Sequence, residues 1–269
     1  MTSPPQTVGY AGWVYGPGPS LGDPAEELHE ASRLYPGVVD PDVTGGALLQ
    51  RSPDMRASAS RSVLRRAGLA AAELPPGTPL GKPLGDALRA RRSTRAYGDA
   101  PISLDELASL LRAAYGVTGT LAGQQLRCAP SGGALYPLEL YVVAAEVAGL
   151  EPALYHYDPP RDVLERIRGA QRRELEGLTP YDELVVPSAA VVAISAVFWR
   201  SRFKYGARAY RFALLEAGHV AQNYLLAATA LGLSACPVGG FFDRRVDALL
   251  GIDGLHEASL YLLPVGSSP

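Results

Sequence analysis

Cysteine is nearly absent from this 269-residue chain. Cys128 and Cys236 stand far apart and form no CxxC pair, which leaves neither a disulfide framework nor a thiolate metal site. Two buried, reduced thiols are expected, with a single disulfide as the alternative. Charge of one sign is also lacking: 25 Lys+Arg against 27 Asp+Glu give a net charge of −2. Nothing is basic enough for general nucleic-acid binding, and nothing is acidic enough for a solvated tail. The opening stretch, MTSPPQTVGYAGWVYGPGPS, has no charged start followed by an apolar run, so no signal peptide is expected. No segment has 18 uncharged apolar residues in succession. The most apolar one, Ala209–Leu233, carries Arg211, Glu216, His219, Gln222 and Asn223, which argues against a membrane span. A soluble, cytoplasmic protein is the expectation. The sequence also lacks a GxGxxG opening a helix, a Walker A loop and a Gly-x-Ser-x-Gly elbow. The four histidines, His29, His156, His219 and His256, have no metal-binding spacing, and His219 reads as a satisfied core histidine rather than a base.

Glycine and proline are plentiful but unevenly spread. They make up 21 of the first 80 residues and 31 of the other 189, which predicts a loop-rich extension over 1–80 and a denser domain over 81–269. Residues 1–22, with Tyr10, Trp13 and Tyr15, read as an irregular arm packed on something. Asp23-Pro24-Ala25-Glu26-Glu27 opens a helix running to about Leu34, because a capping Asp, a first-turn Pro and early acids suit a helix start. Over 36–80 only Ser60–Ala67 suggests another helix. Beyond 80, Leu84–Arg91 reads as a short helix. Ser103-Leu-Asp-Glu106 is a capping box for a helix closing at Tyr115-Gly116. Leu138–Ala145, Ala153–Asp158, Ala189–Phe198 and Leu260–Val265 read as strands, the first buried on both faces. Val163–Ile167 reads as a helical piece, and Tyr210–Leu231 as the longest helix, central or at a subunit interface. Helices and strands mix without a strict βαβ repeat, so the fold class is α+β.

Four short segments can carry chemistry. In Arg91-Arg92-Ser93-Thr94-Arg95, an extended backbone would send residues 91, 93 and 95 to one side. Two guanidinium groups and a hydroxyl would then clamp an anion such as a phosphate; a solvated basic corner is the alternative. Pro130-Ser131-Gly132-Gly133 lets backbone N–H groups approach a flat ligand, with Leu135-Tyr136 as an apolar wall; it could equally be a plain turn. Cys236-Pro237-Val238-Gly239-Gly240-Phe241 offers similar donors, or is a mere helix-to-strand connection. Lys204-Tyr205 sets a cation beside a phenol, an acid/base pair if both face a pocket. Arg208 and Arg211 follow in the first turns of the long helix, where they oppose its dipole and hint at an anionic partner.

Taken in order, RRSTRAYGDAPISLDELASLL (91–111), APSGGALYPLELYVVA (129–144), GLEPALYHYDP (149–159), the stretch from Lys204 to Phe241 and LYLLPVG (260–266) resemble the FMN-dependent nitroreductase superfamily. The likeness is to its SagB-type dehydrogenase branch, the azoline oxidases of ribosomal-peptide biosynthesis, and covers about two-thirds of the chain. The resemblance implies an α+β fold with a central mixed sheet flanked by helices, the long helix at a homodimer interface, and FMN held there. By motif, Arg91, Ser93 and Arg95, with Arg92 beside them, would hold the FMN phosphate and ribityl chain. Pro130, Ser131, Gly132 and Gly133 would lie along the isoalloxazine, and Pro237, Val238, Gly239 and Gly240 would bring a backbone donor to the reactive flavin nitrogen. Lys204 and Tyr205 occupy the place of the catalytic Lys-Tyr pair. Many nitroreductases complete the phosphate site with a C-terminal Lys/Arg segment, whereas this sequence stops at LPVGSSP. That leaves the phosphate to 91–95, with Arg208 or Arg211 as candidates to assist. The implied reaction converts a peptide thiazoline or oxazoline to its azole with dioxygen as electron acceptor, beside other peptide-modifying enzymes of the same pathway. Two alternatives share the fold: an NAD(P)H-dependent nitro- or quinone reductase, and an inactive scaffold subunit.

Overall fold

The structure, a computed structural model, describes residues 22–35, 45–60, 63 and 68–269. The expected aromatic arm lies outside these residues, as does the helical candidate Ser60–Ala67 apart from Ser60 and Val63.

Among the described residues, three short helices come first: α1 (Pro24–Ala31), α2 (Gly45–Arg51) and α3 (Pro53–Ser60). Asp23 caps α1, its carboxylate accepting from Ala25 N at 2.8 Å, as the sequence suggests. The helix ends at Ala31, short of Leu34. Helices α2 and α3 were not legible, since neither is long enough to show an apolar period. β1 (Ala71–Glu73) and α4 (Leu84–Ala90) follow. β2 (Ile102–Ser103) leads into α5 (Leu104–Tyr115), which carries the full capping box: Ser103 Oγ accepts from Glu106 N and the Glu106 carboxylate accepts from Ser103 N.

The centre is a seven-stranded sheet. Beyond the hairpin β3 (Val117–Leu121) and β4 (Gln124–Arg127) come β5 (Leu138–Ala144), the short β6 (Val147–Ala148), β7 (Ala153–Asp158) and β8 (Val163–Gly169). Next are β9 (Ala190–Val197), α6 (Trp199–Tyr205), α7 (Arg208–Leu231), β10 (Ser234–Ala235), α8 (Asp243–Leu250) and β11 (Glu257–Gly266). The strand order is β1-β8-β7-β5-β9-β11-β10. All its ladders are antiparallel; the parallel component expected of a mixed sheet is confined to the separate pair β2–β6.

Val163–Ile167 is a correction: it is part of strand β8, not a helix. A tight turn at Asp162, φ +56, folds it back on β7, and His156 opposite Glu165 and Tyr157 opposite Leu164 fix the register. Pairing with both β7 and β1 overrides a five-residue helical pattern too short to nucleate by itself.

Strand β5 is buried throughout, as expected of a strand covered on both faces. Leu138, Leu140 and Val142 pack with α5 and α7 through Leu107, Leu111 and Tyr224. Tyr141 and Val143 face the second cluster, with Leu175, Val185 and Leu250. The extension is built into the domain. β1 closes one sheet edge, Arg112 Nη1 donates to Pro76 O at 2.7 Å, and Ser109 Oγ donates to Thr78 O at 2.8 Å.

Candidate functional site

The predicted residues form two clusters. In the first, the turn after Pro130 meets the end of α6. Gly133 has φ +69, and a Cβ there would lie 2.7 Å from both Lys204 Nζ and Tyr205 Oη. Absence of a side chain therefore lets the backbone, the ammonium and the phenol share one spot. A Cβ on Gly132 would meet Phe212 at 3.2 Å and Tyr205 at 3.6 Å. Tyr205 stands edge-on to Phe212, ring centroids 4.9 Å apart, and Lys204 Nζ lies 4.9 Å from the Tyr205 ring centroid. Both members of the pair are half-buried, and Gly206, φ +53, turns the chain from α6 into α7 just behind them.

The second cluster joins Arg91–Arg95 to Ala235–Gly240. Its joint is Thr94, a residue with no role in the motif. Thr94 N donates to Ala235 O at 3.0 Å, and Ala235 N donates to Thr94 Oγ1 at 2.7 Å. Arg95 lies beside Cys236, where burial pushes the thiol pKa up against the pull of the guanidinium. Arg91 and Ser93 are half-buried and Arg92 and Arg95 exposed; Arg92 also turns back on Arg89 O and Arg91 O, both at 2.9 Å. Among the described residues, Arg91, Arg92 and Arg95 have no carboxylate partner, so their charge is left for an anion.

In the 237–240 loop the donor assignment narrows. Pro237 has no N–H. Val238 N donates to Leu262 O at 2.8 Å in an isolated bridge, which anchors the loop to β11. The N–H groups of Gly239 and Gly240 make no hydrogen bond among the described residues.

The two clusters lie at opposite ends of the sheet. Pro137 accepts from Val197 at one end of the central strands, while Ala235 pairs with Val265, which is opposite Ala190, at the other. Six residue steps along β5 separate the ends, roughly 20 Å. The long helix α7 runs between them, with Phe212 in its first turns and Ala235 just past its end.

Several sequence expectations are corrected here. Arg208 and Arg211 are engaged by the N-terminal extension: Arg208 Nη1 donates to Ser32 O at 3.2 Å and Arg211 Nε to Ser32 Oγ at 2.7 Å. Their partners are at the carbonyl end of α1, which carries a partial negative charge. His219 is exposed on α7, not in the core. Cys128 is exposed rather than buried, and both thiols are free.

Two buried groups behind the site had no sequence motif. Arg200, on the helix that carries Lys204 and Tyr205, pairs with Glu139 and donates to Tyr136 O at 3.3 Å. His156 Nε2 lies 2.6 Å from the other Glu139 oxygen. Burial works against ionisation of Glu139, but His156 and Arg200 hold its carboxyl below the usual range. Glu216, on α7, accepts from Tyr115 Oη at 2.7 Å. Burial raises its carboxyl from 4.5 to about 7, against the pull of the Ser131 and Tyr115 hydroxyls and the Arg127 guanidinium. Only an alignment of charge across distant elements would have exposed either group. Among the described residues no His/Cys/Asp/Glu group could hold a metal, and no helix is long and apolar enough to cross a membrane.

The model of the nitroreductase family matches residues 88–267. A Methanocaldococcus jannaschii protein, provisionally named a nitroreductase, is 40% identical over 184 residues, 68% of this chain and 90% of its own length. The trifolitoxin-processing protein TfxB of Rhizobium leguminosarum is 33% identical over 59% of this chain, and the microcin B17-processing protein McbC of Escherichia coli 34% identical over 51%. The matches span about half the length of each of these two relatives, 46% and 53%. A crystal structure from Anabaena variabilis, provisionally assigned as a nitroreductase, superposes with a TM-score of 0.66 at 29% identity, covering 87% of this chain and 49% of its own.

Proposed function

From the premise that the chain belongs to the nitroreductase family, a family of oxidoreductases, we propose that it is an FMN-dependent dehydrogenase oxidising peptide azolines to azoles, with dioxygen as electron acceptor. The observation that carries this reading is the meeting of Lys204 Nζ and Tyr205 Oη at Gly133. A reductase passing electrons to a nitro group or quinone has no evident use for such a pair. The kinship with two peptide-processing proteins supports a peptide substrate and partner enzymes of the same pathway.

The residues fit FMN. Arg91 and Arg95, free of carboxylates, suit its phosphate, with Ser93 beside them and Arg92 as an auxiliary. Gly239 and Gly240 have N–H groups to spare for the ring system, and the Pro130–Gly133 turn gives a backbone wall without a Cβ at Gly133. Bound FMN supplies a two-electron acceptor for hydride. Lys204 or Tyr205 takes the proton α to the carbonyl and imine, and the other hydrogen departs as the hydride. The protein's own work is to hold the base at Gly133 and to keep α6 in place through Arg200 and Glu139.

One flavin served by both clusters calls for a second copy of the chain, since within one copy they stand roughly 20 Å apart. Exposed leucines are available to that copy: Leu214 and Leu215 on α7 are 51% and 61% exposed, and Leu84 on α4 is 65% exposed. A homodimer is therefore part of the reading, with the 1–80 extension as a structural wrap around an 81–269 catalytic domain.

The second reading, an NAD(P)H-dependent reductase, is favoured by the Methanocaldococcus relative, which matches along most of its own length. The deciding experiment is mass spectrometry of azoline peptides incubated with FMN-loaded protein. Loss of two hydrogens supports the dehydrogenase. No loss, together with rapid flavin reduction by NAD(P)H, refutes it in favour of the reductase.

A further inference from the structure

Helix α6 meets the 131–136 turn at two points, one helical turn apart. Arg200 and Lys204 stand at i and i+4, so both side chains leave the same face of the helix. Lys204 Nζ comes within 2.7 Å of the place a Gly133 Cβ would fill, and Arg200 Nη1 donates to Tyr136 O at 3.3 Å. The two cations differ in what else they meet. Arg200 Nη2 pairs with Glu139 Oε1, whereas Lys204 has no carboxylate partner among the described residues.

The turn needs holding. Gly133, Ala134 and Tyr136 have φ of +69°, +53° and +46°, a region unfavourable to residues with side chains, so surrounding contacts must impose it. Tyr136 is gripped at both ends of its backbone: its N–H donates to Ser131 Oγ at 2.9 Å, and its carbonyl accepts from Arg200. Glu139, near the start of β5, is fixed in turn. His156 Nε2 lies 2.6 Å from its other oxygen, and the side chains of Arg200, Glu139 and His156 are 13%, 2% and 0% exposed. One planar guanidinium thus joins helix, turn and strand, which an ammonium, having no fixed fork, cannot do.

We propose that Arg200 is a positioning residue: by holding Tyr136 O and Glu139 from the helix that carries Lys204, it sets the gap between Lys204 and the Gly133 turn. What Lys204 does in that gap rests on the dehydrogenase reading; the clamp itself does not. Arg200 transfers no proton and acts only through Lys204. Misplacing a reacting group by about 1 Å costs up to about 100-fold in rate, so loss of the fork falls on turnover rather than on binding.

The test compares the FMN-loaded full chain with Arg200→Lys, which keeps a cation for Glu139 but has no fork. Turnover of an azoline peptide is expected to fall about 10- to 100-fold, with the peptide KM and the FMN affinity within about 2-fold of wild type. A raised KM with turnover unchanged overturns the proposal. A second readout needs neither flavin nor activity. The sequence has two lysines, Lys82 and Lys204, and Lys82 is exposed, so it serves as an internal reference. Competitive acetylation of the apo-protein, read by peptide mass spectrometry, gives the Lys204-to-Lys82 reactivity ratio. Release of Lys204 from the turn is expected to change that ratio at least about 3-fold in R200K. An unchanged ratio overturns the clamp. A third readout uses the wild type alone and so does not depend on a variant that folds. A fork held at both prongs rotates slowly and gives separate Arg200 Nη signals in nitrogen NMR; a single averaged signal overturns the clamp. Absence of azoline oxidation by the wild type refutes the dehydrogenase reading instead, and acetylation and NMR still decide the clamp.

Discussion

Replacing Glu216 by Gln should make the folded protein more stable at neutral pH, even though a native contact is altered. The carboxyl is 2% exposed and titrates near 7, against 4.5 in an unfolded chain. Below about pH 4.5 it is neutral in both states, and its contribution to stability is fully present. As pH rises from 4.5 to about 7 the unfolded chain releases this proton first, so stability is lost across that window and is constant above it. At about 1.4 kcal/mol per pH unit the loss is about 3 kcal/mol. The Gln variant keeps the shape and the acceptor for Tyr115 Oη but has no proton to lose. Urea denaturation of the two apo-proteins at intervals between pH 4.5 and 8 measures the difference, in which every other titrating group cancels. The E216Q curve should gain about 3 kcal/mol on the wild type over the window, or roughly 6–12 °C in melting temperature. Curves that stay parallel would refute the burial and pairing that the structure gives this carboxyl.

Three further outcomes are expected. Lys204→Met and Tyr205→Phe should each retain FMN but cut dehydrogenation at least about 100-fold, the size of a general-base effect; unchanged turnover in both removes the pair from the chemistry. Arg91→Ala or Arg95→Ala should weaken FMN binding by about 10- to 100-fold, the worth of a charge-assisted contact, with a smaller effect for Arg92→Ala; equal affinities in calorimetry would move the phosphate elsewhere. Gly45→Ala should destabilise the protein by about 1–3 kcal/mol, because its Cβ would lie 2.3 Å from the Phe203 ring and 2.6 Å from the Phe203 carbonyl oxygen. A melting temperature unchanged from wild type would show that α2 does not brace α6.

Local chemistry was the legible part of this sequence. The Ser103–Glu106 box, the cap at Asp23 and the apolar run of β5, broken by Glu139, each depend on neighbours within a few residues, and each holds in the structure. The four motif segments were legible for the same reason. What joins them was not. Thr94 ties two segments 141 residues apart, and Arg200, Glu139 and His156 meet across three elements. The helical reading of Val163–Ile167 failed because strand identity there is settled by partners on both sides. His219 was misjudged because a helix rich in alanine looks apolar all round, whatever the direction of each side chain. Arg208 and Arg211 meet the end of α1, a contact across 176 and 179 residues that no local pattern signals.

The 24-residue helix α7 carries a consequence of its own. It sets Phe212 against Gly132 at one end and delivers Ala235 to Thr94 at the other. Such a rod transmits phase as well as length. One inserted residue would advance the far end by about 1.5 Å and swing it by about 100°. Exposed positions such as Gln222 can change identity freely, but the count of residues between the two ends cannot change. In this fold the helix is a ruler: tolerant of spelling, intolerant of insertion.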